Sequence, residues 1–317
     1  MTNRLYTFSI VAFWLVSMGW LIGTKVLPAL RQGTPPDYRD EFVRSPQAPP
    51  PPVAWELFWN AKPIGTSVSQ AYTEGGEPAE FRSLVQFRQV EISEVLREFL
   101  GGLSSFAAPL FGNERSRVDA TIATKLRLDW EGELDGFDTT VRAGDSTDLI
   151  LLRGKRTEED RLQLTVISGE TTIDVPQEFN LPPKSRYAEA FSPRSQMQNL
   201  TVGQRWTTPV VNPLASNNAV RLVESLVESR ETITWHDVPT ETFLVVYRYD
   251  SGSGASARAP VGKAWVRDDG IILRQELPIG KAKVRFERTT DDLARELGAV
   301  LDAPRFEKYL HRHAESE

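Results

Sequence analysis

The chain has 317 residues, of which 40% are hydrophobic and 25% charged, with a formal net charge of -6 and no cysteine. The lack of cysteine excludes disulfides, thiolate nucleophiles, iron–sulfur clusters and Cys-based zinc sites. The acidic balance, with no long basic run, gives no reason to expect a nucleic-acid partner.

In chain order, residues 1–4 form a short tail and an uncharged run then extends from Leu5 to Thr24. It contains Phe8, Ile10, Val11, Phe13, Trp14, Leu15, Val16, Trp20, Leu21 and Ile22. A helix rises ~1.5 Å per residue, so a run of this length spans ~30 Å, about one hydrocarbon core. Backbone polar groups in lipid must be satisfied internally, which a helix achieves. The pattern predicts one transmembrane helix over 5–30, with the bilayer as its partner; Val26, Leu27 and Leu30 prolong it past Lys25. A cleaved signal peptide would have an apolar region of only ~7–15 residues. Lys25, Arg31, Arg39 and Arg44 oppose an N-inside orientation, but long domains translocate largely regardless of such charges. The expectation is a single-pass membrane protein with its C-terminal domain outside the cytoplasm, in the periplasm.

Residues 31–53 read as a linker. Pro49 to Pro52 are four consecutive prolines, which donate no ladder hydrogen bonds and favour extended polyproline II. Such a spacer holds a domain off the bilayer.

Residues 54–290 read as one β-rich domain. Val118, Ala120, Ile122, Thr124, Leu126, Leu128 and Trp130 alternate with Asp119, Thr121, Ala123, Lys125, Arg127 and Asp129, the period of a strand with one buried and one wet face. Similar strands are expected from Ala54–Asn60 through Lys281–Arg288, with Arg221–Glu228 and Thr232–Trp235 as separate strands. Glu74–Pro78, Ser251–Gly254 and Asp268-Asp269-Gly270 supply turn chemistry between them. The fold class expected is mainly β: a large curved antiparallel sheet, a half-barrel, preceded by one transmembrane helix.

Two segments interrupt this pattern. Ile92, Val95, Leu96, Phe99 and Leu100, then Leu103, Phe106, Ala107, Leu110 and Phe111, recur at helical spacing, predicting a helical insertion between two strands. Pro176–Asn199 reads as a long loop. Residues 291–317 form a C-terminal helix and tail: Asp291-Asp292 suit a first helical turn, and Pro304 is expected to stop the helix before a polar tail.

Catalytic chemistry is sparse. His236-Asp237 lies in an expected hairpin turn, where a surface histidine is the simplest reading. His311-x-His313 supplies only two ligands on a tail, short of a metal site. Asp268-Asp269-Gly270 lacks the spaced oxygens of a calcium loop. No catalytic residue, metal ligand or cofactor is assigned, and the expectation is a non-enzyme. The apolar insertion is the stronger lead, either plugging the sheet or forming a lid over a cavity. The candidate ligand contacts are Phe99, Leu103, Phe106, Leu110 and Phe111, with Trp130 facing them.

Trp55–Gly65, Leu200–Trp206, Pro239–Tyr247 and Ala264–Glu276 resemble segments of uncharacterised envelope proteins related to the periplasmic lipoprotein carriers. The resemblance implies a half-barrel around an apolar interior with helices as a lid, and no catalytic residue. Two functions are expected: a membrane-anchored extracytoplasmic binding or accessory protein that takes lipid or a lipidated peptide, or a structural or interaction subunit of an envelope protein complex.

Overall fold

The computed structural model describes residues 2–21, 50–72, 80–91, 117–129, 134–143, 150–159, 161–168, 171–180, 186–187, 195–211, 220–249, 259–279 and 282–310. Helix α1 spans Thr2–Leu21. The strands are β1 (Val53–Trp59), β2 (Lys62–Tyr72), β3 (Glu80–Glu91), β4 (Arg117–Leu128), β5 (Leu134–Ala143), β6 (Ile150–Arg156), β7 (Arg161–Ser168), β8 (Thr171–Asn180), β9 (Arg186–Tyr187), β10 (Arg205–Val211), β11 (Val220–Trp235), β12 (Val238–Tyr249), β13 (Gly262–Arg267), β14 (Ile272–Ile279) and β15 (Ala282–Arg288). Helices α2 (Asp291–Gly298) and α3 (Ala303–Leu310) follow.

The strands make one 15-stranded sheet in the order β8-β7-β6-β5-β4-β3-β2-β1-β15-β14-β13-β12-β11-β10-β9. Sequence neighbours pair from β1 to β8 and from β9 to β15, and β15 returns to pair antiparallel with β1. Only the short β9 runs parallel to its neighbour β10. Among the described residues the two ends of the order, β8 and β9, do not pair with each other, so the described sheet is not closed. Its inner face draws Trp55, Phe87, Ile122, Phe137, Leu164, Val245 and Phe286 into one buried cluster. Among the described residues the sheet covers that face itself, aided by Met197 and Leu200. The sheet is therefore curled.

Strand alternation builds this face. In β4, Ala120, Ile122, Leu126 and Leu128 are buried inward, while Lys125 and Arg127 are only partly buried. Register shifts at Leu57/Phe58, Phe87/Val90, Arg127/Leu128, Leu162/Leu164, Val227/Ser229 and Trp265/Val266 interrupt the ladders. Such bulges bend strands and sharpen their twist, which lets so wide a sheet curl.

The outer face carries the C-terminal helices. Ala54, Val68, Leu84 and Ala123 lie in register across β1–β4 and pack against Leu301, Phe306 and Leu310. Arg82 clasps this layer: its Nη1 donates to the Leu301 carbonyl at 2.8 Å, and its guanidinium lies 4.1 Å from the Tyr72 ring and 5.9 Å from that of Phe306. Burial raises the Tyr72 pKa, against the lowering effect of Arg82. The last linker residues are fixed here too. Gln70 Nε2 donates to the Pro50 carbonyl at 2.9 Å, and Pro52 rests on Gly298.

Several expectations need revision. The membrane-crossing helix was expected over 5–30; α1 covers Thr2–Leu21, and among the described residues no helix is long and apolar enough to cross a membrane. The first turn of α1 holds the polar Thr2, Asn3 and Arg4, and residues 22–30 lie outside the described residues. Arg221–Glu228 and Thr232–Trp235 are one strand, β11, because the bulge at Val227/Ser229 absorbs the change of phase. The expected loop 176–199 contains the end of β8, all of β9, and a crossing segment from Ser195. Pro304 does not end the C-terminal helix. It sits in the first turn of α3, where a missing N–H costs nothing because that group has no intrahelical partner.

Candidate functional site

The six sequence-derived contact residues, Phe99, Leu103, Phe106, Leu110, Phe111 and Trp130, all lie outside the described residues, as does the helical insertion. Their flanks are placed. The insertion leaves from Glu91 and returns at Arg117, a register pair at one end of the β3–β4 ladder. Asp129, which precedes Trp130, follows the other end of β4. Twelve residues of strand separate the two ends, ~40 Å at about 3.4 Å per residue.

His236 and Asp237 do form the β11–β12 turn, with φ of 47° and 63°, a pair of left-handed conformations that matches a type I′ hairpin. The turn reaches β15. Trp235 Nε1 donates to the Arg288 carbonyl at 2.9 Å, and His236 Nε2 lies 3.2 Å from the same oxygen. Among the described residues no group of three His, Asp or Glu could hold a metal ion.

The inner face offers more. It is mainly apolar, and a polar row crosses it on β2–β5. Ser69 faces Ser83, Ser83 faces Thr124, and Thr124 faces Thr139, on four successive strands. All four are buried, and Thr124 Oγ1 and Thr139 Oγ1 are 3.1 Å apart. One step along, Ser67 faces Trp55, and Trp55 faces Arg288. The Trp55 side chain is 0% exposed, and among the described residues its indole N–H has no hydrogen-bond partner. An indole nitrogen only donates, and a buried unmet donor costs roughly 1–3 kcal/mol.

Arg288 is nearly as buried, with its side chain 11% exposed. Its Nη1 donates to the Ser195 carbonyl at 3.2 Å. The Asp291 carboxylate stands 3.9 Å from Nη2 and is itself 79% exposed. Burial pushes the Arg288 pKa down, against the raising effect of Asp291; Arg267 lowers it further. Arg267 is held by Asp269 through contacts of 3.1 and 2.7 Å, which raise the arginine pKa and lower the aspartate pKa. The crossing segment seals this end. Met197 N donates to the Gly270 carbonyl, Ile272 N donates to the Ser195 carbonyl, and Tyr247 Oη lies 3.7 Å from Met197 Sδ.

Sequence reasoning did not single out Trp55, Arg288 or the hydroxyl row. The signal was present as Ser67, Ser69, Ser83 and Thr124 at inward positions of alternating strands, where an apolar residue is the norm.

No family model and no curated protein matches the chain. Its structure is similar to the crystal structure of a β-barrel-like protein of a domain of unknown function, DUF1849, from Brucella abortus. The identity is 11% and the TM-score 0.43, over 78% of this chain and 98% of that one.

Proposed function

We propose that this chain is a membrane-tethered, extracytoplasmic binding or accessory protein whose curled sheet takes an acyl chain or acylated peptide against its inner face. The observation that supports this is the single apolar inner face running through both halves of an unclosed sheet. Trp55, Leu57, Phe137, Leu164 and Val245 are all at 0 % exposure. A ligand would reach the inner face by parting the sheet at its unpaired ends, strands β8 and β9, which no ladder joins among the described residues. Opening there costs apolar exposure but breaks no ladder hydrogen bonds.

The tether reading draws on α1. Phe13, Trp14, Leu15 and Val16 are at least 57% exposed, an apolar surface that favours lipid over water. The uncharged run continues in sequence to Thr24, and the linker residues before Pro50 set the domain off from it.

A diazirine-bearing hexadecanol, offered to the full chain in nanodiscs and mapped by peptide mass spectrometry, tests the ligand reading. Adducts on inward positions of β1–β5 are expected; adducts confined to α1 would overturn it. The tight closure of the inner face favours a second reading, an interaction subunit of an envelope complex with no small ligand. Crosslinking in intact membranes would support that reading by returning a stable protein neighbour while the inner face stays unlabelled.

A further inference from the structure

Resting on the acyl-ligand reading, the geometry points to a built site for an anionic head group on that ligand, a carboxylate or phosphate held by Arg288 and the Trp55 indole N–H. Both groups only donate. They are directly opposed on β15 and β1, so their Cα atoms lie ~5 Å apart and one oxyanion can bridge them. Neither is fully served by the described residues. The indole N–H has no partner, and the guanidinium has one main-chain carbonyl and one exposed carboxylate at 3.9 Å.

A buried cation with so distant a counter-ion gains most from an anion, because charge-assisted hydrogen bonds strengthen where water is excluded. The nearby Arg267 adds positive potential, although Asp269 already occupies its guanidinium. A neutral head satisfies the indole but leaves the charge unmatched. Apolar neighbours flank the pair on the same face: Val53 and Leu57 on β1, and Phe286 on β15. From there the hydroxyls Ser69, Ser83, Thr124 and Thr139 continue the polar track across four further strands. Strand spacing of about 4.8 Å makes the track from Arg288 to Thr139 roughly 24 Å long. Hydroxyls donate or accept, so the track accommodates ester or amide groups beyond the head.

The test uses the full chain in nanodiscs of zwitterionic lipid at about pH 8. Diazirine-bearing palmitic acid, the matched hexadecanol and a diazirine-bearing lysophosphatidic acid are compared for adducts on inward positions of β1–β5. At least one anionic probe is expected to exceed the alcohol ~10-fold, the least that a hydrogen bond to a charged group supplies. Arg288→Gln should lower that excess several-fold, with Arg288→Lys restoring part of it, whereas Trp55→Phe should weaken labelling by the anion and the alcohol alike. The anion-to-alcohol ratio is read on the unaltered chain, so a variant that fails to fold leaves the test intact. Preference for the carboxylate or for the phosphate identifies the head. Equal labelling by all three probes overturns the head-group site and leaves the apolar-ligand reading standing. No inner-face labelling by any probe overturns both.

Discussion

Gly154 offers a sharp test of how the inner face is packed. It faces Phe137 across β5 and β6, and a Cβ placed on it would lie 2.2 Å from Phe137 Cε1 and 2.6 Å from Cδ1. Non-bonded carbons rest at about 3.5–4.0 Å, so Gly154→Ala must drive the ring ~1.4 Å sideways. Phe137 is 0% exposed and faces Leu126 on its other flank, so it has little room to give. Overpacking of this kind costs roughly 1–3 kcal/mol, against a gain of about 0.5–1 kcal/mol from replacing glycine within a strand. The expected net loss is about 1 kcal/mol in equilibrium urea unfolding of the full chain, followed by near-UV circular dichroism. Phe137→Ala alone should cost about 3–5 kcal/mol. In that background the Gly154→Ala methyl meets no ring and should stabilise by about 0.5–1 kcal/mol, giving a coupling of about 2 kcal/mol. Additivity within ~0.5 kcal/mol, or a neutral single variant, would refute this picture of the ring lying on the glycine.

Further expectations follow from the turns, the clasp and the ion pairs. Ala61 holds φ of 70° in the β1–β2 turn, so Ala61→Gly should stabilise by about 1 kcal/mol; a lower melting temperature would contradict a left-handed requirement there. Arg82→Met leaves the Leu301 carbonyl without its guanidinium partner and should cost about 3 kcal/mol while speeding amide exchange in α3; unchanged protection of α3 would remove the clasp. Asp138 accepts from Arg153 at 2.7 Å and Arg127 at 2.8 Å. Burial raises its pKa, but these arginines outweigh it and hold the carboxyl below its ordinary value. A lowered folded-state pKa means stabilisation that is present above the unfolded value, about 3.9, and is lost as pH falls through the folded value. The stability gap between the parent and Asp138→Asn should therefore narrow on acidification below about pH 4, and a constant gap would show that the pairs contribute nothing.

The strands were legible because period two is written locally. The alternation from Val118 to Leu128 marked β4, and His236-Asp237 sat where a turn was expected. Bulges were not legible: at Val227/Ser229 the shift of phase looked like the end of one strand and the start of another. Pro304 misled because proline breaks a helix interior yet suits a first turn, and position within the helix decides which. The candidate contact residues were chosen by apolar density. Density does not say which face or which end of a sheet a residue serves, and all six lie outside the described residues.

Taken alone, the sequence determined an acidic, cysteine-free chain with an apolar N-terminal run, a proline spacer and a long series of half-buried strands. Each of these properties depends on composition or on residues a few positions apart. Only the tertiary structure decided that β15 pairs with β1, that Arg288 therefore faces Trp55, and that four hydroxyls share one row. Register between distant strands sums the twist and bulges of everything between them, and no local pattern carries that sum.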